Sequence, residues 1–205
     1  MKNLFQRIAS ILIVSLAVNA FANTADEVSP LLIGASTPSV LLANQKGEPT
    51  ELDSALASKP SVVIFYRGGW CPFCNSQLSE LAAIEGDLND LGYQIIAISP
   101  DSPQGLNDTD DKYGLGYQLL SDSEFKAMDA FGVSYDNPRR GKLPVPSVFI
   151  VTPEKRISFQ YVNPNYRLPY PSKTAHGSRR SQFARGVSIT RTFKVAADLR
   201  AATIF

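Results

Sequence analysis

The 205-residue chain predicts an α/β fold: a central, mostly parallel sheet with an antiparallel edge hairpin and flanking helices. Three observations carry that expectation. Continuous apolar, β-branched runs at 61–66 (SVVIFY), 93–99 (YQIIAIS) and 147–151 (SVFIV) have the character of strands covered on both faces. Stretches with helical punctuation lie between them, and strands that alternate with helices build parallel sheets through crossover connections. The last apolar run turns through TPEK into RISFQYV, 156–162, whose alternation is that of an edge strand.

The elements follow in order. Ser39 to Ala43 reads as a short strand, turned by Gln45-Lys46-Gly47-Glu48. After the first central strand a helix is expected over Pro72 to Leu91. Pro72 suits a first helical position, and Leu78, Leu81, Ile84, Leu88 and Leu91 recur at spacings of three and four, the stripe of one buried face. Ser102 to Tyr113 holds a further helix, YQLL at 117–120 a short strand, and Ser123 to Phe131 a helix stopped by Gly132. The turn-rich stretch SYDNPRRGKLPVP, 134–146, reads as a loop. No internal repeat is present.

Residues 1–22 have the layout of a secretory signal peptide. Lys2 and Arg7 precede the apolar run Ile8 to Val18, and Ala20-Phe21-Ala22 forms a small-x-small cleavage site. The run is short for a membrane span, so the expected protein is periplasmic or secreted, without a stable membrane anchor after cleavage. A leader at 23–37, a redox domain at 38–162 and a tail at 163–205 complete the division. Charge separates the last two. Residues 23–162 hold 10 basic and 18 acidic side chains, a net of −8, whereas 163–205 hold 8 basic and 1 acidic, a net of +7. Nothing in the acidic body suggests nucleic acid as a partner, and none is expected. The tail has almost no apolar periodicity and is expected to be disordered or divergent.

Both cysteines of the chain lie in WCPFC, 70–74. Residues i and i+3 share a helix face, so Cys71 and Cys74 can close a disulfide across a first turn. A zinc site needs four ligands, and the sole histidine, His176, lies in the tail; no metal is expected. A structural disulfide closing so short a loop gains little chain-entropy stabilisation. Redox chemistry is the remaining reading. At a helix N-terminus the free N–H groups and the positive end of the dipole favour a thiolate. Cys71, at the mouth, is expected as the exposed nucleophile and Cys74, one turn in, as the buried resolving thiol. No cofactor is implied.

FYRGGWCPFC, AISPDSP, KYGLGYQLLSD, FGV and PVPSVFIV, in this order and spacing, resemble the thioredoxin-like superfamily, and within it the peroxiredoxin-like branch of the alkyl hydroperoxide reductase/thiol-specific antioxidant family. The resemblance covers roughly residues 38–161. It implies a thioredoxin-like fold in which the Val145–Pro146 bond is cis, Pro146 lies beside the redox cysteines, and Val145 presents backbone groups to an incoming peptide. Trp70 would wall the site. The family's peroxidases carry a Thr or Ser three residues before the reactive cysteine, a place taken here by Gly68 or, if Cys74 reacts, by Cys71. They also carry a peroxide-binding Arg, whose place Pro146 takes. Arg67 is the alternative cation, or else an ordinary surface arginine. Ile64 stands where thioredoxins keep a buried acid, and Asp101 is expected to cap a turn. The resulting expectation is a thiol-disulfide oxidoreductase acting on protein or small-molecule thiols and disulfides. A thiol peroxidase that takes hydroperoxides and an unidentified reductant is the first alternative. A redox-inert module with a structural disulfide is the second.

Overall fold

The structure, a computed structural model, describes residues 24–167. Residues 1–23, which include the stretch expected to be a signal peptide, and the tail beyond Arg167 lie outside the described residues. Seven strands form one sheet in the order β2-β1-β5-β4-β3-β8-β9. They are β1 (Leu41–Ala43), β2 (Pro49–Glu51), β3 (Ser61–Phe65), β4 (Gln94–Ser99), β5 (Gln118–Ser121), β8 (Ser147–Val151) and β9 (Ile157–Val162). The centre is parallel, β3 to β4 to β5. The flanks are antiparallel: β8 pairs β3, β9 pairs β8 at the edge, and β1 joins β5 to β2. The two central runs and SVFIV are therefore strands, as the sequence predicts, but SVFIV enters against the direction of β3.

Alternation along β3 sorts the core into two layers. Val62, Ile64 and Tyr66 face one cluster with Cys71, Cys74, Leu78, Leu81, Leu88 and Leu106. These come from helices α2 (Pro72–Ala82), α3 (Glu85–Asp90) and α4 (Pro103–Tyr113). Val63 and Phe65 face the other cluster with Leu52, Leu56, Met128, Phe131 and Phe149. Helices α1 (Leu52–Ala57) and α5 (Lys126–Ala130) cover that side. Successive residues of a strand point to opposite faces, so a run that is apolar at every position needs a cover on each side.

Two local expectations change. The helix expected over Pro72 to Leu91 is two segments. Ile84 N–H bonds Leu81 O across a tightened turn, and the chain re-aims there, so Leu88 stays in the core while Leu91 is exposed. The stretch 134–146 is no simple loop: β6 (Ser134–Asn137) and β7 (Gly141–Pro144) form an antiparallel hairpin with its tip at 138–140. The leader is tied to the body. Leu31, Gly34 and Thr37 donate to Phe131 O, Ile157 O and Lys155 O. The missed elements β2 and α1 are short, three and six residues, too short to show a period.

Phe65, Phe131 and Phe149 form an aromatic triad, with ring centroids 5.0, 5.2 and 6.0 Å apart. It joins β3, β8 and the end of α5 in the layer away from the cysteines. Phe149→Ala is expected to cost about 3–5 kcal/mol in chemical denaturation, the usual penalty for a large buried aromatic. A loss below about 1 kcal/mol would show that this layer repacks freely.

Candidate active site

The candidate site is built at the carboxyl end of the parallel strands. β3 ends at Phe65, and Arg67-Gly68-Gly69-Trp70 carries the chain to α2. Both peptide groups of Gly69 are held. Its N–H donates to Asp101 Oδ2 at 2.8 Å, and its carbonyl accepts from Asn75 Nδ2 at 2.7 Å. Asp101 follows β4 and also accepts from Ser99 Oγ at 3.0 Å. Its carboxyl is pushed above the usual range by burial. Asp101 thus fastens the turn before the cysteines. Glycine is required twice here. Gly68 has φ +135°, and a Cβ on Gly69 would overlap Thr109 Oγ1.

This clamp delivers Cys71 to the N-cap of α2, with Pro72 at the first helical position. Helix N-caps are usually oxygen side chains that accept from the first-turn N–H groups. Here Cys71 Sγ accepts from Cys74 N–H at 3.3 Å. The Cys71 thiol is lowered to about 6, first by a hydrogen bond from the Cys74 side chain, then by the N–H groups of Cys74 and Phe73 and the Arg67 charge, against the opposing cost of burial. Cys74 is pushed up, mainly because its S–H is the donor to Cys71, and further by burial. The pair therefore divides its roles: one sulfur holds the negative charge and the other holds the proton. Both cysteines are free thiols in this structure.

The expectation of an exposed Cys71 is corrected: Cys71 and Cys74 are each 1% exposed. Cys71 instead lines a cleft of about 520 Å³, together with Arg67, Trp70, Pro72, Phe73, Asn137, Pro138, Arg139, Arg140 and Tyr166. The reading of Arg67 as a surface arginine is also corrected, since it is 6% exposed. Its guanidinium lies 3.8 Å from the Tyr166 ring centroid and 5.1 Å from that of Trp70. Trp70 does wall the cleft, and Arg140 stacks on it at 3.7 Å.

Val145 and Pro146 do not join the site. No peptide bond among the described residues is cis, so Val145–Pro146 is trans. The backbone of Val145 is already bonded: its N–H donates to Val133 O at 2.8 Å, and its carbonyl accepts from Ser147 Oγ at 2.6 Å. Pro146 O accepts from Asn163 N–H at 3.0 Å. The hairpin runs directly into β8, and these groups are already bonded within the chain. Ile64 is core, at 1% exposure.

Sequence reasoning missed Phe73, the hairpin-tip residues Asn137, Pro138, Arg139 and Arg140, and Tyr166. The paired arginines in a turn-rich stretch were a signal, but their approach to Trp70 is long-range. Tyr166 falls beyond the boundary expected at residue 162.

A thiolate capping a helix at the end of a parallel sheet, with a protonated thiol one turn behind, defines a thiol-dependent oxidoreductase of the thioredoxin fold. The AhpC/TSA family matches residues 33–160, and the chain belongs to it. Among relatives, Peroxiredoxin Bcp of Escherichia coli is 30% identical over 115 residues, 56% of this chain and 73% of that protein. The thiol-disulfide oxidoreductase ResA of Halalkalibacterium halodurans is 24% identical over 135 residues, 64% of this chain and 76% of that one. Among solved structures, the thiol peroxidase from Chromobacterium violaceum shares the fold with a TM-score of 0.62 at 18% identity, over 70% of this chain and 83% of that one.

A pH prediction follows from the division of charge. Iodoacetamide labelling of Cys71 is expected to rise with pH through a midpoint near 6, because the thiolate is the reacting form. Cys74→Ala removes the first hydrogen-bond donor to that thiolate, so the midpoint should climb by about one to two pH units toward the ordinary value of about 8.5. An unmoved midpoint would mean that the backbone and Arg67 alone hold the charge.

Proposed function

We propose that this protein is a thiol peroxidase that reduces hydroperoxides at Cys71, with Cys74 as the resolving thiol. One observation carries the reading: the sulfur held as a thiolate is recessed in a cleft lined by Arg67, Trp70 and the hairpin tip, while the Val145 backbone groups that the resemblance would offer to an extended peptide are already bonded within the chain. Its peroxiredoxin and thiol peroxidase relatives support the same choice.

Cys71 Sγ⁻ attacks the terminal oxygen of ROOH, a sulfur–oxygen bond forms and the O–O bond breaks. Cys71 becomes a sulfenic acid, and the alkoxide RO⁻ takes a proton from solvent to leave as ROH. Cys74 then attacks Cys71 Sγ, the disulfide forms, and the hydroxyl leaves with the Cys74 proton as water. An external dithiol reduces the disulfide and is itself oxidised. Residues Gly68 and Pro146 stand where the family's peroxidases place their peroxide-binding Thr or Ser and their Arg. In this chain Arg67 and the first-turn N–H groups of α2 supply the positive field around the reacting sulfur. An extracytoplasmic location belongs to the same proposal and rests on the signal-like residues 1–22 alone.

A second reading, dithiol–disulfide exchange with proteins, has the CPFC pair and the ResA relative in its favour. Peroxide loss and insulin disulfide reduction, each driven by the same dithiol, separate the two. Peroxide consumption that vanishes in Cys71→Ser is expected, with dimedone trapping a sulfenic acid in Cys74→Ser. Insulin turnover without peroxide consumption would sink the peroxidase reading.

A further inference from the structure

The cleft in front of Cys71 carries three guanidiniums, those of Arg67, Arg139 and Arg140, and no acidic side chain among its lining residues. None of the three makes an ion pair among the described residues. Asp101 lines a neighbouring cleft of about 380 Å³ with Trp70, Arg139 and Arg140, and Asp136 precedes Asn137 on β6. Asp101 spends Oδ2 on Gly69 N–H and Ser99 Oγ. Arg67 is more than nine-tenths buried, and its Nε–H has no hydrogen-bond partner among the described residues. A buried cationic donor left unpaired is a costly arrangement that an anionic acceptor relieves. The Arg140 guanidinium lies 3.7 Å from the Trp70 ring centroid and that of Arg67 3.8 Å from the Tyr166 ring centroid, and a guanidinium's planar fork of donors suits a carboxylate. Trp70, Phe73 and Tyr166 supply apolar walls.

Resting on the peroxidase reading, we infer that this cleft selects carboxylate-bearing reactants, with Arg139 and Arg140 holding the carboxylate while the reacting atom meets Cys71. Two reactants visit Cys71 and share this chemistry. One is an organic hydroperoxide, consumed as written above. The other is a thiol reductant. RSH attacks Cys71 Sγ of the disulfide, forming Cys71–S–S–R, and its proton passes to the departing Cys74 sulfur. A second RSH then releases the Cys71 thiolate, RSSR and a proton.

The test compares charged and neutral versions of each reactant. Cumene hydroperoxide is set against its para-carboxylated form, and mercaptoethanol against mercaptopropionate, each half-reaction followed separately. At low salt the carboxylated member of at least one pair is expected to show a second-order rate constant about ten-fold higher, and the half-reaction in which it does so identifies the reactant. In Arg139→Ala/Arg140→Ala that ratio should fall to near one. Binding is read independently through Trp70, the only tryptophan. Its emission should change saturably with para-isopropylbenzoate and not with para-isopropylbenzamide. Equal rates for charged and neutral partners in both half-reactions would overturn the inference, as would a preference that survives the double substitution. Failure to consume hydrogen peroxide would instead overturn the peroxidase reading, and the Trp70 titration would still decide whether the cleft binds carboxylates.

Discussion

An α-helix begins with N–H groups that need an acceptor, and in this protein a sulfur meets that need. The hydrogen bond from Cys74 N–H to Cys71 Sγ caps α2 and, behind the larger effect of the Cys74 side chain, helps to hold Cys71 as a thiolate. The two roles reinforce each other. A charged acceptor makes a stronger cap than a neutral thiol, and a capped helix keeps its dipole and first-turn donors aimed at the charge. Placing Cys74 in the same turn adds a third donor, its own S–H, and stores the proton next to the sulfur that will need a partner. Helix initiation and redox poise therefore share the first turn of α2.

That interaction depends on a fixed approach to the helix. Arg67 and Asp101 each follow the carboxyl end of a parallel strand, which is where open α/β sheets build their sites. Asp101 and Asn75 hold the two sides of the Gly69 peptide, and Thr109 closes the space that any side chain at that position would occupy. The Gly68-Gly69 pair is the cost of bringing the chain from β3 into α2 within so little room. The rigid sheet beneath, filled on both faces, keeps the carboxylate, the amide and the sulfur in register.

The β6–β7 hairpin decides what can reach the sulfur. Its base is tied through Val145 to Val133, and its tip lies against Trp70 through Arg140. The outcome is a cleft with aromatic walls and three arginines over a recessed sulfur.

Much of this was legible along the chain. The strands β3, β4 and β8 announced themselves because burial on both faces demands apolar residues at every position. The redox pair was legible because two cysteines three apart behind a strand, followed by proline, satisfy helix-start chemistry locally. Local signals also predicted a helix from Pro72, though its break at Ile84 is set by the surface it packs on. What only the tertiary structure decided is everything that acts across the chain. It buried Arg67, placed Tyr166 on it from about a hundred residues away, turned 134–146 into a roof, and made Val145–Pro146 a trans link in that roof. Propensity and period report how a residue relates to its neighbours in sequence. The charge on Cys71 and the shape of its cleft depend on groups brought together by the sheet, and no local pattern encodes that meeting.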